Sequence, residues 1–143
     1  MNRYLGLDLG SKTLGVSMSE SGIIAYALST FRFTENDYQE AANKVIELAL
    51  LHKIDTIVLG YPKHMNNDVG IRGKISEDFK KLVEEKCTAE VVLWDERLST
   101  VAAARFYETP PKTRQKRINQ KKDIDNLASA FILEGALEYI KRN

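Results

Sequence analysis

The chain has a single cysteine, Cys87, so it can form no internal disulfide and no cluster of thiolate metal ligands. Its only histidines, His52 and His64, are not placed together by any motif, which argues against a zinc centre. Three prolines and eight glycines are scattered over 143 residues, with no low-complexity tract, repeat or linker-like stretch. No apolar run approaches the roughly 20 residues needed to cross a bilayer. The first residues pass directly into a strand pattern without a charged-then-apolar leader. Secretion is therefore not expected, and a reducing cytoplasm is. The remaining composition, 43% hydrophobic and 29% charged, is that of an ordinary globular protein, expected as one domain over residues 1–143.

A net charge of +1 hides an uneven distribution. Lys112, Arg114, Lys116, Arg117, Lys121 and Lys122 lie in one stretch that contains no acid. Removing those six positive charges from +1 leaves −5 on the rest of the chain. A solvated loop would account for such a run on its own, and so would a strip that binds phosphates.

Hydrophobic spacing orders the chain as β-β-β-α-β-α-β-α-α. Tyr4–Leu9, Leu14–Ser19 and Ile23–Ser29 alternate as strands, separated by Gly10-Ser11 and Ser21-Gly22, and predict an antiparallel meander. Thr34 followed three positions later by Asp37 has the form of a capping box. Tyr38, Ala41, Ala42, Val45, Leu48 and Ala49 then recur at helical spacing. Thr56–Leu59 is a buried strand closed by Gly60-Tyr61-Pro62. A helix is expected from about Ile71 to Lys86, with Ile75, Phe79, Leu82 and Val83 inward, and Val91–Trp94 is the next strand. Ser99 or Thr100 caps a helix through Tyr107, stopped by Pro110-Pro111. The last helix runs from near Asp123 to Lys141, with Leu127, Phe131, Leu133, Leu137 and Ile140 on its apolar face. The β-α-β-α-β portion requires parallel strands. The fold class is therefore α/β: a mixed five-stranded sheet, three antiparallel strands followed by parallel ones, with helices on both faces.

Three acidic positions stand out against this layout. Asp8 interrupts the apolar run Leu5-Gly6-Leu7-Asp8-Leu9, and a carboxylate buried there must be bonded or act as a ligand. Asp95 and Glu96 end a strand, and Asp125 opens a helix directly after the basic stretch. Strand ends point into the mouth of an open sheet, where ligands bind. Converging carboxylates repel unless a hard cation holds them, and oxygen ligands suit Mg²⁺ or Mn²⁺. Asp95 and Glu96 face opposite ways, and alternation alone leaves open which of them enters the site. Each acid also has a plainer reading: a hydrogen-bonding role for Asp8, surface pairing with Arg97 for the strand-end pair, a helix-dipole contact for Asp125.

Asp8-Leu9-Gly10, the loop Gly60-Tyr61-Pro62…Met65…Gly70-Ile71-Arg72, the block Asp95-Glu96-Arg97-Leu98-Ser99-Thr100, and Asp125…Ala128-Ser129-Ala130 occur in order along the chain. Together they resemble the YqgF-type (RuvX-like) nuclease family of the RNase H-like superfamily. The resemblance implies an RNase H-like sheet with the first strand central. It makes Asp8, Glu96 and Asp125 the catalytic metal ligands, preferring Glu96 to Asp95 and Asp125 to Asp123. Two Mg²⁺ or Mn²⁺ ions about 4 Å apart are implied, one activating water and one stabilising the leaving 3′ oxygen. Lys12, Arg72, Arg97 and the strip Lys112, Arg114, Lys116, Arg117, Lys121 and Lys122 are the implied nucleic-acid contacts. Thr13 stands where the family often has a basic residue, and Asn66-Asn67 replaces a common Asp-Gly.

The resemblance implies two substrates, the 5′ side of precursor 16S ribosomal RNA and branched DNA junctions, of which the RNA is preferred. The expected assembly is a monomer or weak homodimer without membrane attachment. Two other classes compete. Leu7-Asp8-Leu9-Gly10-Ser11-Lys12-Thr13 also resembles the first phosphate loop of actin-like ATPases, although those proteins close two such domains around a nucleotide. A nucleic-acid-binding module without turnover is the third class, opposed by the three intact acids.

Overall fold

A computed structural model of the chain describes residues 2–61, 70–95 and 129–139, excluding the side chain of Arg72. Alternation shapes its centre. In β1 (Tyr4–Leu9), Leu5, Leu7 and Leu9 face one side of the sheet, while Tyr4, Gly6 and Asp8 face the other. β2 (Thr13–Ser19) pairs antiparallel with β1, and β3 (Tyr26–Arg32) pairs antiparallel with β2. β4 (Thr56–Tyr61) pairs parallel with the free side of β1, and β5 (Glu90–Asp95) pairs parallel with β4. The order β3-β2-β1-β4-β5 puts β1 in the middle, so the carboxyl ends of β1, β4 and β5 share one edge.

The two parallel crossovers run through α1 (Tyr38–Leu51) and α2 (Gly70–Glu84), which pack on each other and on one face. α1 buries Ala41, Ala42, Val45, Leu48 and Ala49. α2 contributes Phe79 and Val83, both 1% exposed, with Ile75 and Leu82 partly buried beside them. Burying a side chain such as Phe79 stabilises by about 1.5–3 kcal/mol. The opposite face is covered by a helix over residues 129–139, α3, through Ile132, Leu133, Ala136 and Leu137. These pack with Tyr4 and Val58, and Trp94 joins them. α3 sits tight against β1 because residue 6 is glycine. A Cβ there would meet Ser17 Oγ, lie 2.7 Å from Leu133 Cβ and lie 2.9 Å from the Ser129 carbonyl oxygen.

The mixed five-stranded sheet with helices on both faces is the expected architecture. Two local expectations need correction. The third strand begins at Tyr26, not Ile23, and runs to Arg32. Ser19 Oγ accepts from Gly22 N at 3.0 Å, and Ser21 Oγ accepts from the amides of Ile23 and Ile24 at 3.1 and 3.2 Å. Those bonds hold the segment in a turn, with Gly22 at φ +77°, and leave Ile23 and Ile24 in solvent. The cap of α1 is Asp37, not Thr34. Asp37 Oδ1 accepts from Glu40 N at 3.2 Å, while Glu40 Oε1 accepts from Thr34 N at 2.9 Å. The carboxylate at position 40 reaches further back than a simple capping box and ties the incoming chain to the helix. His52 is the C-cap of α1. The helix expected between Ser99 and Tyr107, and the last helix outside 129–139, fall beyond the described residues.

Candidate active site

Asp8 lies at the carboxyl end of the central strand and is half-buried. In the ladder it stands opposite Gly15 of β2. A Cβ on Gly15 would sit 3.5 Å from Asp8 Cβ and 3.6 Å from both Cβ and Oγ of Ser129. Asp8 and the Ser129 side chain therefore flank one recess, floored by a residue without a side chain. Ser129 is 2% exposed, and among the described residues its Oγ has no hydrogen-bond partner. Its main-chain oxygen is engaged instead, accepting from Ser17 Oγ at 2.8 Å.

The turn that follows Asp8 is fixed by its backbone. Gly10 N donates to Thr13 O at 2.7 Å, Phe33 N to Lys12 O at 2.9 Å, and Asn36 N to Ser11 O at 2.8 Å. Lys12 is thereby held at the surface near the mouth of the sheet, its side chain exposed. A small cleft beside this turn is lined by Leu9, Gly10, Tyr38, Ile75 and Ser76.

On β5, Val91 and Leu93 pack into the cluster under α1 and α2, whereas Trp94 packs under α3. Alternation then puts Asp95 on the α1/α2 side, opposite to Asp8. Tyr61, its ladder partner, faces the same way, and its hydroxyl donates to Glu77 Oε1 of α2 at 2.9 Å. Tyr61 and Trp94 are thus packing residues. Trp94 stacks at a tilt on Tyr139, with centroids 5.7 Å apart.

Of the expected site residues, Asp8 and Lys12 are described in full and Arg72 by its backbone in α2. Glu96, Arg97, Asp125 and the strip Lys112, Arg114, Lys116, Arg117, Lys121 and Lys122 lie outside the described residues. Accordingly, no group of three potential metal ligands occurs among the described residues. Two contributors to the recess, Gly15 and Ser129, carry no role in the sequence reading. The β1–β2 hairpin register is the signal that would have found Gly15 opposite Asp8. Ser129 is visible within Ala128-Ser129-Ala130, but no partner in the sequence marks it.

The chemistry of the recess suits a hard divalent cation. It holds a carboxylate on a rigid strand, a buried hydroxyl with no partner among the described residues, and the space that a side chain at position 15 would fill. The sheet order, the mixed pairing and the acid at the end of the central strand define an RNase H-like α/β fold. Among solved structures, Thermus thermophilus RuvC in complex with a Holliday junction substrate shares that fold. Its TM-score is 0.65 at 12% identity, covering 100% of this chain and 98% of that one. A family model described as "RuvX: Holliday junction resolvase" matches residues 2–139, and the chain belongs to that family of nucleases. A relative from Onion yellows phytoplasma, named "Putative pre-16S rRNA nuclease", is 49% identical over 98% of this chain and 91% of its own length. A Bacillus licheniformis relative of the same name is 48% identical over 95% of this chain and 96% of its own. Nucleases of this family and fold depend in general on divalent metal ions.

Proposed function

We propose that this chain is a divalent-cation-dependent endonuclease of the cytoplasm that trims the 5′ side of precursor 16S ribosomal RNA. The observation that carries the reading is the recess itself, where Asp8 and Ser129 meet on the α3 face while Asp95 turns to the other. That division supports Glu96 as the second acid, because it shares the parity of Trp94 rather than of Asp95. Asp125 lies four positions before Ser129, a spacing that would put both on one face of the helix expected from near Asp123, which supports it as the third. Asp8, Glu96 and Asp125 would hold Mg²⁺ or Mn²⁺ ions. When bound, such ions supply an activated water and a counter-charge for the leaving 3′ oxygen. Lys12, Arg72, Arg97 and the Lys112–Lys122 strip bind flanking phosphates and set affinity rather than rate.

The relatives' names favour the RNA. The family model's description and the junction-bound RuvC favour a four-way DNA junction instead. Paired cuts in a junction need two sites across a two-fold axis, and a monomer or weak dimer of one nuclease domain presents one site per encounter. Cleavage of a precursor 16S RNA fragment and of a four-way junction, each with Mg²⁺ or Mn²⁺, discriminates the two. Preferential RNA cleavage that Asp8→Asn abolishes is expected. Paired symmetric nicks in the junction by a tight dimer would reverse the substrate order, and no metal-dependent cleavage of either would leave a binding module.

A further inference from the structure

We propose that Ser129 is a positioning residue of the cation site, its hydroxyl holding a water that hydrates the ion bound at Asp8. The inference rests on the nuclease reading above and extends it to a residue with no assigned role.

A serine hydroxyl that is 2% exposed and has no partner among the described residues is an unusual expense in a folded protein. Simple packing would be served better by alanine, and the residues on either side, Ala128 and Ala130, are alanine. Nor is Ser129 kept for its contact with β2, because that bond is accepted by its main-chain oxygen. Alanine would retain it. The hydroxyl instead borders the recess beside Asp8.

Gly15 supports the same conclusion independently. A glycine inside a strand weakens it, and is expected where another group must come close. The described backbone does not demand glycine here, since a Cβ would find only ordinary contacts of 3.5–3.6 Å. What that Cβ would consume is the space between Asp8 and Ser129. Asp8 Cβ and Ser129 Oγ each lie about that distance from the same point, so both border the space that a methyl would occupy, and a water there could reach the hydroxyl. Mg²⁺ keeps several waters when protein-bound, and outer partners of this kind orient the ligands inside them.

The test is calorimetric titration of Mn²⁺ into the full chain without nucleic acid, alongside thermal unfolding without metal. Ser129→Ala should unfold at the same or higher temperature, since its side chain gives up no hydrogen bond among the described residues, yet bind Mn²⁺ about 10–100-fold more weakly. Gly15→Ala should fold and also bind Mn²⁺ more weakly, because its methyl fills the recess. It remains informative even if Ser129→Ala fails to fold. Asp8→Asn should remove tight Mn²⁺ binding. If Asp8→Asn does so while Ser129→Ala and Gly15→Ala bind as wild type, the role of Ser129 is overturned and the nuclease reading stands. If Asp8→Asn also binds as wild type, the cation site is not at Asp8 and both readings fall. A lower melting temperature for Ser129→Ala with unchanged affinity would mark the hydroxyl as structural and overturn the proposal.

Discussion

The hydroxyl of Ser17 donates to the main-chain oxygen of Ser129 at 2.8 Å, joining two positions 112 apart in sequence. The same Ser17 Oγ lies 3.4 Å from the Gly6 carbonyl oxygen, so one buried serine stitches β2 to β1 and to α3. This junction sets the height of α3 above the sheet, and hence where Ser129 stands relative to Asp8.

Gly6→Ala should break that junction. Its methyl would collide with Ser17 Oγ and press on Leu133 Cβ and the Ser129 carbonyl, neither of which is the free end of a flexible side chain. Overpacking of this kind costs about 1–3 kcal/mol. Urea midpoints should show the loss for Gly6→Ala, whereas Gly15→Ala should unfold near the wild-type midpoint.

The strand-end acids should separate cleanly. Glu96→Gln should lower the cleavage rate by orders of magnitude, and Asp95→Asn should be mild because Asp95 faces α2. Single-turnover cleavage measures both. A dead Asp95→Asn beside an active Glu96→Gln would overturn the assignment of Glu96 as the second acid.

Neutralising Lys116, Arg117, Lys121 and Lys122 together should weaken binding across sequences without lowering the single-turnover rate at saturation. The slope of log K against log salt should flatten by about 0.7–0.9 for each phosphate that the strip no longer neutralises. An unchanged slope would show the strip to be a solvated loop.

Glu134 on the outer side of α3 has its carboxyl raised above the ordinary 4.5, first by burial and then by the charge of Glu138 one turn on. A carboxyl raised on folding binds its proton more tightly in the native state. Its contribution is present below about 4.5 and is lost as pH rises through the folded value. Glu134→Gln should therefore raise the denaturation midpoint at pH 7, with the gain over wild type shrinking as pH falls toward 4.5. An equal gain at both pH values would point to a cause other than charge.

Strands and helices were legible wherever the apolar period was unbroken. Leu5, Leu7 and Leu9 announced β1 and its inward face, and Ala41 through Ala49 announced α1. The meander's third strand was misplaced by three residues because Ile23 and Ile24 read as core. Hydrophobicity does not reveal that a serine hydroxyl captures both their amides in a turn. For the site, the interrupted apolar run exposed Asp8 directly. Between Asp95 and Glu96 alternation alone left the choice open and the resemblance preferred Glu96; the partners of Leu93 and Trp94 add that Asp95 turns to the α1/α2 face. Ser129 and Gly15 act through a recess formed by segments far apart in sequence, which local patterns do not encode.

The two faces of the sheet also draw on different parts of the chain. β1 through β5, with α1 and α2, occupy residues 4–95, and the α3 face is completed only by residues 129–139. Ser129 reaches the recess from a point 121 positions beyond Asp8 in the sequence, so the recess is a product of the closed fold and of no single stretch of chain. Unfolding of either face would dismantle it.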